Sequence, residues 1–200
     1  MAQMTIDTPT RSEMTEARII AAARRLFVTR NYADVTTGMI TEEAGVTKGG
    51  LYHHFPSKER LYVTMMLRDL EDKRRMFSRA VEMEGTCRER LARITRDFLE
   101  LPEEDRELTR LVRRDINIFT DPERDKLVRA YQRALPDLIE RIVTDGIAHG
   151  ELRPGNPRIL SWSFVALVEV VIGEYAREAL GDSDARLGHV LDLFFHGAAA

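Results

Sequence analysis

The chain has 200 residues, 44% hydrophobic and 32% charged, with a formal net charge of −3. That balance fits one or two globular domains and excludes a disordered, collagen-like or strongly basic protein. A single cysteine, Cys87, excludes an intrachain disulfide, and no run of about 18 apolar residues offers a membrane span, so a chain kept in the cytoplasm, without a signal peptide, is expected.

Residues 1–12 read as a flexible arm. A first helix starts near Thr15 as N-cap, with Ile19, Ala22, Ala23, Leu26 and Phe27 on one apolar stripe. Asn31 ends it, as a residue that tolerates the left-handed conformation. Thr36 caps a short second helix, Thr37 to Ala44. Gly45 supplies the turn, because glycine accepts positive φ without a side-chain clash. Thr47 caps a third short helix running to about His54, with Leu51 and Phe55 inward. Two short helices joined by a glycine turn, after a longer one, make a helix-turn-helix layout.

A fourth helix, about residues 57–83, completes this small core and links it to the rest. A fifth covers about 86–101 and a sixth about 104–119, with a break at Asp121-Pro122. A seventh runs to about His149, and Pro136 inside it predicts a bend or a split. The eighth covers 158–180 and the ninth 184–196. Little valine-threonine-tyrosine alternation is present, so no strands are expected. The fold class is therefore all-α with about nine helices: an N-terminal three-helix DNA-binding domain, residues 1–60, and a larger C-terminal helical domain, residues 61–200.

Residues 159–172 are apolar apart from two serines and Glu169, and a helix apolar on all sides must be buried on all sides. A domain of this size cannot cover every face internally. Helices eight and nine, with Phe194 and Phe195, are therefore expected to form a homodimer interface around a two-fold axis.

The stretch TTGMITEEAGVTKGGLYHHFPSKERLY, residues 36–62, resembles the DNA-binding signature of the TetR family of regulators. Ile40, Ala44, Gly45, Val46, Thr47, Gly49, Leu51, Tyr52, His54, Phe55, Ser57, Lys58 and Glu59 stand in the family's order and spacing, and Leu26-Phe27 and Tyr32 fit upstream. The chain departs from the pattern at Asn31, where glycine is usual, and at Thr37 and Thr41, where apolar residues are common. The distinctive match covers about residues 15–62; the rest fits in helix layout and length.

The resemblance implies a one-component regulator whose partners are double-stranded operator DNA and a small-molecule effector. Lys48 and His53, on the first exposed turns of the third helix, are best placed to meet bases, and Gly50 permits close approach. Thr36 and Thr47 can donate hydroxyls to phosphates beside their caps; the resemblance assigns Tyr52 and His54 to phosphates, and Lys58 is expected on another. Arg11 in the arm is a candidate for an adjacent groove. The resemblance further implies an effector pocket within helices four to eight, making residues 61–200 a ligand-binding and dimerisation domain. Met66, Phe98, Tyr131 and Trp162 are its candidate apolar lining, and Arg113, Asn117 and Glu169 its candidate polar groups. A buried Glu169 needs a partner, either a ligand or an arginine across the dimer, and an acidic effector of fatty acid or acyl-CoA type suits Arg113 and Arg114.

No cofactor, metal or catalytic role is expected. His53 and His54 are adjacent on a helix and diverge, no Glu-x-x-His pair is present, and no glycine-rich phosphate loop has the required spacing. Two alternatives stay open beside the ligand-released repressor: a DNA-binding regulator without a small-molecule effector, and an activator.

Overall fold

A computed structural model describes residues 10–197. The chain divides into two compact units, residues 1–67 and 68–200, a boundary seven residues beyond the expected one.

The first unit contains α1 (Arg11–Thr29), a 3-10 turn (Tyr32–Asp34), α2 (Thr37–Ala44), α3 (Lys48–His54) and the start of α4 (Lys58–Glu82). Helix α1 begins earlier than expected. Thr10 Oγ1 accepts from the Glu13 N–H at 3.2 Å, and the Glu13 carboxylate accepts from the Thr10 N–H at 2.7 Å, a capping box that satisfies two orphan donors. Those hydrogen bonds hold the Glu13 carboxyl below its ordinary value, the bond from the Thr10 backbone first. Arg11 is thus the first helical residue rather than part of an arm, and the rest of the expected arm, residues 1–9, lies outside the described residues.

Asn31 ends α1 differently from the expectation. Its backbone is extended (φ −69°, ψ 152°) and its amide donates to Asp34 Oδ2 at 3.1 Å. Gly45 is left-handed (φ 62°) and donates its N–H to the last carbonyls of α2. The core gathers Ile19, Ala23, Phe27, Val35, Ile40, Leu51 and Leu61, all fully buried, while the expected Leu26 and Val46 are half-buried. Phe27 meets Tyr62 edge-on at 4.8 Å between ring centres and stacks on Tyr32 at 5.8 Å. Thr41, the hydroxyl in this core, donates back to the Gly38 carbonyl at 2.8 Å, so it costs little.

The second unit holds the end of α4 and then α5 (Cys87–Leu99), α6 (Glu103–Asp115) with a 3-10 turn (Ile116–Ile118), α7 (Glu123–Ala134), α8 (Pro136–Ala148), α9 (Pro157–Ile172), α10 (Glu174–Leu180) and α11 (Ser183–His196). Eleven α-helices replace the nine expected among the described residues, because two predicted helices are broken. The first breaks at Leu135: Pro136 lacks the N–H that would continue the ladder and instead opens α8 as its first residue. The second breaks at Gly173, where the chain bends by 80°. Buried Arg186 stabilises that bend by donating to the Val171 and Asp182 carbonyls and to Ser183 Oγ. Burial, then the neighbouring charges of Arg106 and Arg177, lowers the pKa of its guanidinium.

The core of this unit is built by Phe77, Leu91, Ile94, Phe98, Ile142, Phe164 and Val190. Helices α5 and α8 touch at Gly146, where an added Cβ would lie 2.7 Å from Cys87 Cβ, so only glycine fits. Helix α9 is not buried all round within the chain. Ile159, Ser163, Ala166 and Val170, spaced four, three and four residues apart, form one exposed stripe. Tyr175, a large apolar residue, is 82% exposed. No strand occurs among the described residues, and no single helix among them is long and apolar enough to cross a membrane.

Candidate nucleic-acid interface and effector pocket

The interface is assembled by two caps. Thr36 Oγ1 accepts from the Met39 N–H at 3.2 Å and Thr47 Oγ1 from the Gly50 N–H at 3.1 Å, which fixes the start of α2 and of α3. Lys48, Gly49, Tyr52 and His53 are all exposed on α3, and Gly50 is half-buried against Thr47. The Tyr52 hydroxyl lies 3.4 Å from Thr37 Oγ1. One of the residues that depart from the family pattern thus orients a candidate phosphate donor, a link invisible at a spacing of fifteen residues.

Two of the residues expected on phosphates, His54 and Lys58, turn inward in this structure. The His54 side chain is only 9% exposed and its Nδ1 lies 3.8 Å from the Glu16 carboxylate, so it faces α1 rather than solvent. Lys58 also turns inward. Its Nζ donates to the Tyr32 carbonyl at 2.7 Å and the Val35 carbonyl at 2.8 Å, and sits 4.2 Å from the centre of the Tyr32 ring. Burial lowers the pKa of that ammonium, with Asp34 opposing.

In the second unit an apolar pocket lies among α5, α6, α7, α8 and α9, lined chiefly by Ile94, Phe98, Leu135, Ile139, Phe164 and Val168. Three of the predicted residues line it: Phe98, Tyr131 and Glu169. Arg113 stands at its mouth with Arg110, Glu169 and Ile172. The cavity itself is about 20 Å³, room for about one water molecule. Arg113 of α6 and Glu169 of α9 form an ion pair across this mouth, within one chain rather than across a dimer as expected for Glu169, and the pair raises the Arg113 pKa. Burial, ahead of the Glu169 charge, pushes the adjoining Tyr131 phenol up to about 12, so it remains a hydroxyl donor at neutral pH.

The other candidates fall elsewhere. Met66 is fully buried and does not line the pocket. Trp162 is half-buried outside it, 6.1 Å from the Tyr131 ring and 5.8 Å from the Arg158 guanidinium. Asn117 is exposed on the 3-10 turn after α6, and Arg114 is held by its neighbour Asp115 at 2.6 Å. Thr109 and Arg110 are among the pocket residues that sequence reading missed; the strong amphipathic pattern of α6 announces a buried face there, but not that the face borders a cavity. A wider cleft of about 330 Å³ lies between the α8–α9 connection and the end of α11, bordered by Leu152, Leu160 and Phe195.

Cys87 is buried, and its thiol is pushed up to about 12, chiefly by burial and then by the Glu151 charge. Thiolate is the reactive form. Native protein at neutral pH is therefore expected to resist iodoacetamide, with one equivalent of label taken up only after unfolding; rapid native labelling, read by intact mass, would contradict the assigned burial. Among the described residues no group of three or more His, Cys, Asp or Glu side chains could hold a metal ion.

A helical core presenting capped α2 and α3 to solvent defines a helix-turn-helix transcriptional regulator. Residues 19–65 match the family described as "Bacterial regulatory proteins, tetR family", and residues 84–173 match "Tetracyclin repressor-like, C-terminal domain". The chain belongs to the TetR family of DNA-binding transcriptional regulators, which are not enzymes. It is 28% identical over 194 residues to the HTH-type transcriptional repressor AcnR of Corynebacterium efficiens, covering 96% of this chain and 95% of that one. Among solved structures it resembles the transcriptional regulator FadR of Bacillus subtilis in complex with stearoyl-CoA, at a TM-score of 0.77 and 21% identity over 92% of this chain and 99% of that one. It equally resembles AibR in complex with isovaleryl coenzyme A and operator DNA, at a TM-score of 0.77 and 20% identity over 90% of this chain and 98% of that one. At these identities the structural likenesses speak for the fold.

Proposed function

We propose that the protein is a dimeric repressor that binds a palindromic operator and is released by a small, largely apolar effector. The observation that carries this reading is the pairing, in one chain, of an exposed Lys48-Tyr52-His53 face on α3 with an apolar pocket in the second unit. Helix α4 is continuous from Lys58 to Glu82 and so belongs to both units. Lys73 on it is buried and donates to the Asp105 carbonyl in the first turn of α6 at 2.6 Å. A ligand that shifts α6 therefore has a mechanical route to α4. By linkage, operator DNA weakens effector binding by the factor the effector weakens operator binding.

The exposed Ile159-Ser163-Ala166-Val170 stripe of α9 supports dimerisation through α9 and α11, the eighth and ninth helices of the sequence reading. In such a dimer the two recognition helices would stand about 34 Å apart, one turn of DNA. The bound acyl-CoA ligands of FadR and AibR, and the repressor role of AcnR, support an effector of fatty acid or acyl-CoA type and a repressing function. The small cavity favours a second reading, in which the regulator responds to no effector.

The experiment is selection of an operator from random duplexes, followed by titration with Lys48→Ala and His53→Ala protein. Each loss of a base contact is expected to cost about 1–3 kcal/mol and to relax preference at one position of each half-site. Variants that bind the selected site as the parent does would remove α3 as the reading element.

A further inference from the structure

The mouth of the pocket carries chemistry beyond that of an apolar effector. Thr109 of α6 lines the pocket, is 9% exposed, and its hydroxyl is buried without a hydrogen-bond partner. The other buried hydroxyls nearby are satisfied: Thr95 Oγ1 donates to the Leu91 carbonyl at 2.9 Å and Ser161 Oγ to the Pro136 carbonyl at 3.1 Å. A buried hydroxyl left unpaired in an otherwise apolar wall is an unfilled demand for a polar atom.

One helical turn beyond Thr109, on the same side of α6, Arg113 reaches Glu169 on α9. That acceptor is a carboxylate supplied by the protein itself, at a position that also lines the pocket. The pair is half-exposed, with the two side chains 49% and 33% accessible, so opening it carries little penalty. With about 20 Å³ free inside, nothing larger than water enters until the walls around α6 and α9 part, and the Arg113–Glu169 pair joins those two helices.

Resting on the effector reading of this pocket and deepening it, we propose that the pocket takes an amphiphile with an apolar chain and a free carboxylate head, and that this head replaces Glu169 on Arg113 while accepting a hydrogen bond from Thr109. One carboxylate oxygen meets the guanidinium and the other the hydroxyl, so the Arg113–Glu169 pair is a latch that the ligand opens by substitution. An acyl thioester offers one carbonyl oxygen and no charge at this point. It could satisfy Thr109 but would leave Glu169 in place.

The test uses the full chain and the quenching or enhancement of Trp162, the only tryptophan, which stands against Tyr131. Dodecanoate, dodecanol and dodecanoyl-CoA are titrated below their micellar concentrations into parent protein, Thr109→Val, Arg113→Gln and Glu169→Gln, with calorimetry as the second readout and thermal melts as a folding control. Dodecanoate is expected to bind the parent about tenfold tighter than dodecanol, the scale of one charge-assisted hydrogen bond. Arg113→Gln should erase that preference while keeping dodecanol affinity, and Thr109→Val should weaken dodecanoate while leaving the preference for acid over alcohol in place. Glu169→Gln, which removes the internal competitor, should tighten dodecanoate and leave dodecanol unchanged.

Equal binding of acid and alcohol by the parent, with release of operator by both, would keep the effector site and overturn the carboxylate latch. Preference for the CoA thioester over the acid would overturn it as well. Binding of none of the three by protein that still holds its operator would overturn the latch and the effector reading together.

Discussion

Replacing Phe27 by alanine is expected to remove about 3–5 kcal/mol from the stability of the first unit, the usual cost of deleting a buried aromatic. Phe27 is fully buried, and its ring touches those of Tyr32 and Tyr62. The core it belongs to is small, drawn from α1, two short helices and the start of α4, so no neighbouring layer can collapse into the space. The loss is of the order of a small domain's whole stability. Operator binding should vanish with it. The second unit has its own core, centred on Phe77, Leu91, Ile142 and Phe164, and should stay folded. Trp162 lies in that unit, so urea unfolding followed by tryptophan fluorescence should be nearly unchanged in the variant. Far-ultraviolet circular dichroism, which sees both units, should show an early loss. A single transition shifted equally in both signals would mean that the two units unfold as one, and the expected independence would be wrong.

What could be read from the sequence was the chemistry that acts over a few residues. Thr36, Gly45 and Thr47 each do one local job, and the resulting helix-turn-helix has the expected bounds. The start of α1 was readable by the same logic, since Thr10 and Glu13 have capping-box spacing, yet the apolar stripe drew the start to Thr15. Pro136 marked its break for the reason proline always does. The bend at Gly173 is stabilised by Arg186, thirteen residues away on another helix, and no local pattern encodes that. The same limit governs the sites. Periodicity marked Met66, Phe98, Tyr131 and Trp162 as apolar-facing, but burial is shared by every core residue, and only packing separates a cavity wall from a filled interior. For Glu169 the need for a partner was legible, because a carboxylate on an apolar helix is costly alone. Its identity was not, because Arg113 lies fifty-six residues away.

Lys58 shows most sharply how a long side chain escapes sequence reasoning, and it carries the second large effect. The 3-10 turn Tyr32–Asp34 leaves the Tyr32 and Val35 carbonyls without helical partners, and the Lys58 ammonium fills both places. Val35 immediately precedes Thr36, the cap of α2, so this one ammonium sets the position of α2 relative to the start of α4. Lys58→Met keeps the aliphatic stem and removes the charge. It is expected to cost about 2 kcal/mol, because the buried Val35 and half-buried Tyr32 carbonyls lose their donor. Operator affinity should fall because α2 and α3 are less well held, and it should fall by the same factor at every salt concentration. A lysine bound to phosphate behaves differently. Its removal lowers the slope of log affinity against log salt by about 0.9. Lys48→Ala, at an exposed position, is the internal control in which such a change of slope can occur. An unchanged slope with a lowered melting temperature would establish Lys58 as the brace of the reading head. A slope reduced by about one phosphate's worth, with stability untouched, would return it to the DNA backbone and leave the Tyr32 and Val35 carbonyls to water.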